Sequence, residues 1–152
     1  MIRVLVQQAA IDVAAELDRI EGMAGIGAVA TFTGLVRRDP DASGAVGTLE
    51  LEHYPGATEA ALTRLAEAAC ARWTLDAATI VHCVGPMRPG ERIVFVAAAS
   101  AHRSAALEAC AYLIDRLKTD APFWKRETRG NDSRWVEARD ADDAAAARWG
   151  DA

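Results

Sequence analysis

The sequence predicts an α+β domain built mostly of antiparallel strands. Three observations carry this. Short β-rich runs and amphipathic stretches alternate without a strict βαβ rhythm. Several strand candidates are joined by connections of hairpin length, which favours antiparallel pairing. The 152 residues, 51% of them hydrophobic, suffice for one core, and neither a repeat nor an internal linker divides them. Residues 1–152 are therefore read as one domain.

The elements follow in order. Ile2 to Val6 is a β-rich run, and Ile11 to Ile20 carries the apolar spacing of a helix. A glycine-rich turn, Glu21 to Gly27, leads into a strand over Ala28 to Val36, rich in β-branched and aromatic residues. Arg37 to Gly47, with Pro40, Ser43, Gly44 and Gly47, has no periodicity and reads as a mobile loop. Thr48 to Tyr54 alternates as a strand. Thr58 is the expected cap of the next helix, whose apolar face is Ala61, Leu62, Leu65, Ala68 and Ala69. Ala78 to Val84 and Glu91 to Ala99 are strands around a turn at Gly85 to Gly90. Ser100 is the expected cap of a long helix that Pro122 stops. Phe123 to Thr128 and Ser133 to Glu137 pair as a hairpin, and Ala138 to Trp149 forms a last helix.

Composition narrows the partners. A net charge of −5 argues against duplex nucleic acid, so any anion site is a local pocket. No apolar run approaches the roughly 20 residues of a membrane span. The N-terminus has no export-signal pattern, and Cys70, Cys83 and Cys110 are odd in number and without zinc spacing. A reducing cytoplasm is expected, with no metal and no cofactor. The cysteines read as core packing, as do Trp73 and Trp149, and His53 and His82 read as strand residues.

Against that acidic background, cations gather in two segments. One is Ser100-Ala101-His102-Arg103-Ser104. The other runs from Lys118 through Ala121-Pro122-Phe123-Trp124 to Lys125-Arg126-Glu127. A lysine crowded by cations loses basicity and can act as nucleophile or proton carrier near neutral pH. These residues suit an anionic substrate held against an apolar wall. They do not by themselves name it.

Five motifs stand in order along the chain: Thr31-Phe32-Thr33-Gly34-x-Val36-Arg37, Leu51-Glu52-His53-Tyr54-Pro55-Gly56, Ser100-Ala101-His102-Arg103-Ser104, Lys118-Thr119-x-Ala121-Pro122-Phe123-Trp124-Lys125-Arg126-Glu127 and Arg134-Trp135-Val136-Glu137-Ala138-Arg139. In these motifs and their order the chain closely resembles the large, catalytic subunit of molybdopterin synthase. The resemblance implies an α/β hammerhead fold and a sulfurtransferase of molybdenum cofactor biosynthesis. The substrate would be cyclic pyranopterin monophosphate, converted to the molybdopterin dithiolene. The sulfur donor would be a thiocarboxylate on the C-terminal Gly-Gly of a small ubiquitin-like subunit. Large subunits would form a central homodimer within a heterotetramer.

The resemblance also implies residue roles. Lys118 and Lys125 would be catalytic and contact substrate, with Arg37, His102 and Arg103 on the pterin phosphate. Arg126 and Glu127 would complete the strip, and Phe32 and Phe123 would either wall the pterin or pack in the fold. Arginine suits phosphate because its fork bonds two oxygens. Position 35 is Leu where some members carry Lys, and the 38–47 loop is dissimilar. Two other classes compete: a non-catalytic module binding a ubiquitin-like tail, and a transferase acting on a small phosphorylated metabolite without a protein partner. The first needs the groove but not both lysines; the second turns over without any partner.

His102 and Lys118 stand at opposite ends of one expected helix, roughly 24 Å apart at 1.5 Å per residue. One pterin cannot span that length. Either the two clusters serve separate purposes, or a second copy supplies one of them. A two-fold dimer is the simpler solution, and the resemblance implies one, so a shared site is expected, with His102 and Arg103 of one copy meeting Lys118, Lys125 and Arg37 of the other.

Overall fold

The computed structural model describes residues 1–37, 47–129, 132–136 and 140–150. Two four-stranded sheets carry the architecture. The first consists of β1 (Ile2–Gln7), β4 (Ala77–Cys83), β6 (Arg92–Ser100) and β2 (Ala28–Leu35), in the order β1-β4-β6-β2. The second orders β5 (Gly85–Met87), β3 (Thr48–His53), β7 (Phe123–Arg129) and β8 (Asp132–Val136) as β5-β3-β7-β8. Only β1 and β4 pair in parallel; the other described pairs are antiparallel. The mixed, mainly antiparallel α+β fold expected from the sequence is the one observed.

Strand β4 explains the layering. All of its residues are buried, because β1 and β6 flank it and both of its faces are covered. On one face Ala78 and Ile80, with Val94, Val96 and Ala98 of β6, meet helices α2 (Ala57–Trp73) and α3 (Arg103–Asp120) through Leu62, Leu65, Tyr112, Leu113 and Leu117. On the other face Val81, Phe95 and Ala97 meet Ile20 of α1 (Val13–Glu21) and Leu49, Leu51 and Met87 of the second sheet. The period of two along β6 sends alternate residues into these two cores. Full burial of each Leu, Ile or Phe side chain contributes about 1.5–3 kcal/mol.

Several local expectations are corrected. The first helix begins two residues late, at Val13, because the Asp12 side chain accepts a hydrogen bond from the Ala15 N–H and caps it. Gly56, at φ 86°, starts α2 instead of Thr58, and its N–H donates to Glu59 Oε2 at 2.7 Å. Ser100 does not cap α3, since it ends β6 opposite Ala28; His102 holds the capping position. The turn after β4 contains the short strand β5. Pro122 does end α3 as expected: Ala121 is extended at φ −92°, ψ 132°, the conformation a following proline favours.

The hairpin of β7 and β8 forms as expected, and the final helix is the shorter α4 (Asp140–Ala147). Trp73 and Trp149 pack as read: Trp149 makes edge contacts with Trp73 and Tyr112, and its Nε1 donates to Asp115 at 2.8 Å. The loop expected at 37–47 falls almost wholly outside the described residues. Glu137, Ala138 and Arg139 do as well.

Candidate functional site

The connection from β6 to α3 is short, so α3 folds back along β6. Its first turn lies beside the end of β6, and its last turn lies toward the start of β6. Register then locates everything else. The start of β6 pairs with the ends of β2 (Leu35 with Arg92) and of β4 (His82 with Val94). Val36 continues from β2, exchanging backbone hydrogen bonds with Glu91 and Gly90 at 2.9 and 2.8 Å. Arg37 follows it and is exposed. Lys118 and Arg37 thus belong to one end of the molecule.

Strand β7 returns to this same end. Phe123 stacks on His82, with ring centroids 3.9 Å apart and planes 21° from parallel. Lys125 lies two residues further on, the same face of β7, opposite Leu51 of β3. Leu51 in turn pairs with Gly85, just past the end of β4. Lys118 and Lys125 are both exposed. Lys118 Nζ stands 3.6 Å from Asp142 Oδ1 of α4. The cation crowding expected around Lys118 is therefore not its observed environment; a carboxylate answers it.

The expected strip of Lys125, Arg126 and Glu127 divides. Neighbouring strand residues face opposite ways, so Lys125 and Glu127 share the face of Leu51 and Leu49, and Arg126 takes the other. There Arg126 pairs with Glu50 at 2.5 Å and lies 5.6 Å from the Trp135 ring. Tyr54 and Trp124 meet edge to face on that side at 4.3 Å. Nor is β7 an edge strand: β3 and β8 flank it, so its charges are not edge protection.

His102 and Arg103 lie at the far end of α3. His102 has extended backbone angles, its side chain makes no capping bond, and both residues are exposed. Gly27 crosses directly beneath. A Cβ there would stand 2.3 Å from the Ala101 carbonyl oxygen, so only glycine permits this approach. One chain does not bring His102 and Arg103 to Lys118; the helix length of roughly 24 Å separates them.

Of the proposed pterin walls, Phe32 is partly exposed on β2, and an added Cβ at Gly34 would come within 3.3 Å of its ring. Phe123 is half-buried against His82. Burial raises the thiol pKa of Cys70 and of Cys83, and pushes that of Cys110 up to about 11. No group of His, Cys, Asp and Glu suited to a metal occurs among the described residues. No described helix is long and apolar enough to cross a membrane.

Sequence reasoning undervalued Thr58 and His82. Thr58, fully buried, accepts from the Tyr54 N–H at 3.1 Å and donates to the Pro122 carbonyl at 3.0 Å. His82 is buried with Nδ1 2.9 Å from the Cys83 carbonyl, which can only accept, so Nδ1 carries the proton. Burial above all, then the charge of Lys125 and of His53, lowers its pKa to about 4, against the carbonyl bond that raises it. His82 is neutral at pH 7. Both residues contact the proline step, which lies far from them in sequence.

A model of the MoaE protein family matches residues 6–120. The chain belongs to this family. It is 51% identical over 149 residues to the molybdopterin synthase catalytic subunit of Mesorhizobium japonicum, covering 96% of this chain and 92% of that protein. Its structure is similar to that of a molybdopterin biosynthesis MoaE protein from Burkholderia ambifaria, with a TM-score of 0.83, 45% identity and all of both chains covered. A chain in the complex of subunits 1 and 2 of the molybdopterin-converting factor of Helicobacter pylori shares the fold, with a TM-score of 0.72 at 20% identity over 91% of each chain.

Proposed function

We infer that this MoaE-family chain is the catalytic subunit of a molybdopterin synthase, a sulfur-transferring enzyme. It would act on cyclic pyranopterin monophosphate, with sulfur delivered from the thiocarboxylated Gly-Gly tail of a small ubiquitin-like subunit. What supports the reading is strand register and helix direction, which put Lys118, Lys125 and Arg37 toward one end of the fold on three separate elements. Phosphate and thiocarboxylate are both anions and repel each other, so cations must hold them together for reaction. Arg37 is suited to phosphate oxygens, and the two ammonium groups to the thiocarboxylate and to charge developing on the pterin. Glu127 shares the face of Lys125, where it would orient that amine. Arg126, tied to Glu50 on the other face, stands outside this group.

The reading places the protein in a homodimer. His102 and Arg103 have no route to the lysines within one chain. A two-fold axis that brings the start of one α3 near the end of its mate would complete each site. A binding module for a ubiquitin-like tail needs the groove but not both lysines, and the presence of both favours the enzyme over it.

The decisive experiment incubates the protein with the thiocarboxylated small subunit and the pterin precursor, followed by mass analysis of the pterin. Gain of two sulfurs is the expected result. An unchanged pterin, with the small subunit bound, would favour the binding module. Turnover of the precursor without the small subunit would favour the partner-free transferase.

A further inference from the structure

Lys118 and Lys125 sit on different bodies. Lys118 ends α3, which packs on the first sheet through Leu113 and Leu117. Lys125 belongs to the second sheet. Only the corner from Thr119 to Trp124 joins them along the chain, and their separation depends on how that corner is held.

The corner is clamped from two sides by residues remote in sequence. The Thr58 hydroxyl, in the first turn of α2, donates to the Pro122 carbonyl at 3.0 Å while accepting the Tyr54 N–H at 3.1 Å. One buried oxygen thus ties the end of β3, the start of α2 and the proline step together. The His82 ring, at the end of β4, stacks on Phe123 at 3.9 Å. Phe123 also lies opposite His53 in the β3–β7 ladder, and its N–H returns to the Ala121 carbonyl at 3.0 Å. The fixed φ of Pro122 removes one of the remaining freedoms.

We propose that Thr58 and His82 are positioning residues that set the separation of Lys118 and Lys125 by clamping the Ala121-Pro122-Phe123 corner. The proposal rests on the reading of both lysines as catalytic. A neutral ring suits the task, since it backs the strand that carries Lys125 without adding a second positive charge there. Reaction between two bound anions demands near-attack geometry, and a displacement of about 1 Å remote from the chemistry can cost about 100-fold in rate. The corner is where such a displacement would arise.

The test is steady-state turnover of the pterin precursor with the thiocarboxylated small subunit, using the full chain. The variants are Thr58→Val, Thr58→Ser, His82→Ala and His82→Phe, each first shown folded at assay temperature by its thermal melt. Thr58→Val keeps the shape and removes the hydroxyl. Its kcat is expected to fall about 100-fold, with KM for the precursor and affinity for the small subunit unchanged. Thr58→Ser restores the hydroxyl and is expected within about threefold of wild type, and His82→Phe, which keeps the stack, is expected to exceed His82→Ala by about 10-fold.

A folded Thr58→Val protein with wild-type kcat, or with its loss confined to KM, overturns the proposal. So does failure of Thr58→Ser to restore the rate. If Thr58→Val does not fold, the His82→Ala and His82→Phe pair decides by the same criteria. Lys118→Ala and Lys125→Ala, assayed alongside, separate the two ideas. Active lysine variants refute the catalytic reading itself, and dead lysine variants beside a fully active Thr58→Val refute only the clamp.

Discussion

At its N-terminal end α3 begins on His102, whose side chain makes no capping bond, and Arg103 beside it is exposed. At its C-terminal end the chain closes on itself. Lys118 faces Asp142, Arg116 pairs with Asp120 at 2.7 Å, and the corner beyond is held by Thr58 and His82. Both ends present exposed basic side chains, and the C-terminal corner is in addition held by contacts from remote parts of the chain. Groups that perform chemistry gain from preorganisation, whereas groups that complete a site from outside need exposure more than internal partners. The proposed site assembled from two copies would draw on both ends.

The largest expected effect lies at the closed end. Lys118→Ala and Lys125→Ala each remove an exposed amine, so stability should change by under about 1 kcal/mol in a denaturant melt. Turnover should fall at least about 100-fold, the worth of roughly 3 kcal/mol at a reacting centre. Near-wild-type turnover in either variant, at saturating small subunit, would break the contrast.

The second effect is a pH dependence confined to the closed end. His82 has a folded pKa of about 4, below its ordinary 6.5, so it binds its proton less readily folded than unfolded. Its contribution is fully present above pH 6.5 and is lost as the pH falls through about 4, amounting to about 3 kcal/mol. Unfolding free energies measured across this window should fall less steeply in His82→Phe than in wild type. Equal slopes would show that His82 is not held neutral by burial.

At the open end Gly27→Ala should destabilise by about 1–3 kcal/mol, because the new methyl meets a backbone carbonyl that must move. Precursor binding should weaken with it through His102 and Arg103. A calorimetric melt and a binding titration check both. The smallest effect is Asp142→Asn, which removes a half-exposed ion pair and should change stability by under about 1 kcal/mol.

The sequence made the secondary structure legible wherever one periodicity ran unbroken, as in β4, β6 and α3. It misled at helix starts, because local capping preference competes with long-range pairing. Ser100 is a good cap by composition, yet the ladder with Ala28 claims it for β6. Thr58 is a good cap as well, yet Gly56 takes the turn and leaves the Thr58 hydroxyl for Pro122. The division of Arg126 from Lys125 was readable, since alternation along a strand requires it, but charge proximity in sequence was weighed first. The clamp had no local signal: Thr58 and Pro122 are 64 residues apart. The separation of His102 from Lys118 was fully legible, because it needs only a helix and its rise per residue.

That separation is the central claim, and subunit complementation tests it most directly. Arg103→Ala and Lys118→Ala proteins, each inactive alone, are mixed, exchanged into heterodimers and assayed with the thiocarboxylated small subunit and pterin precursor. Heterodimers are expected to regain activity, since one of their two sites then receives Arg103 from one copy and Lys118 from the other. Heterodimers that demonstrably form and stay as inactive as their parents would contradict a site built from both ends of α3.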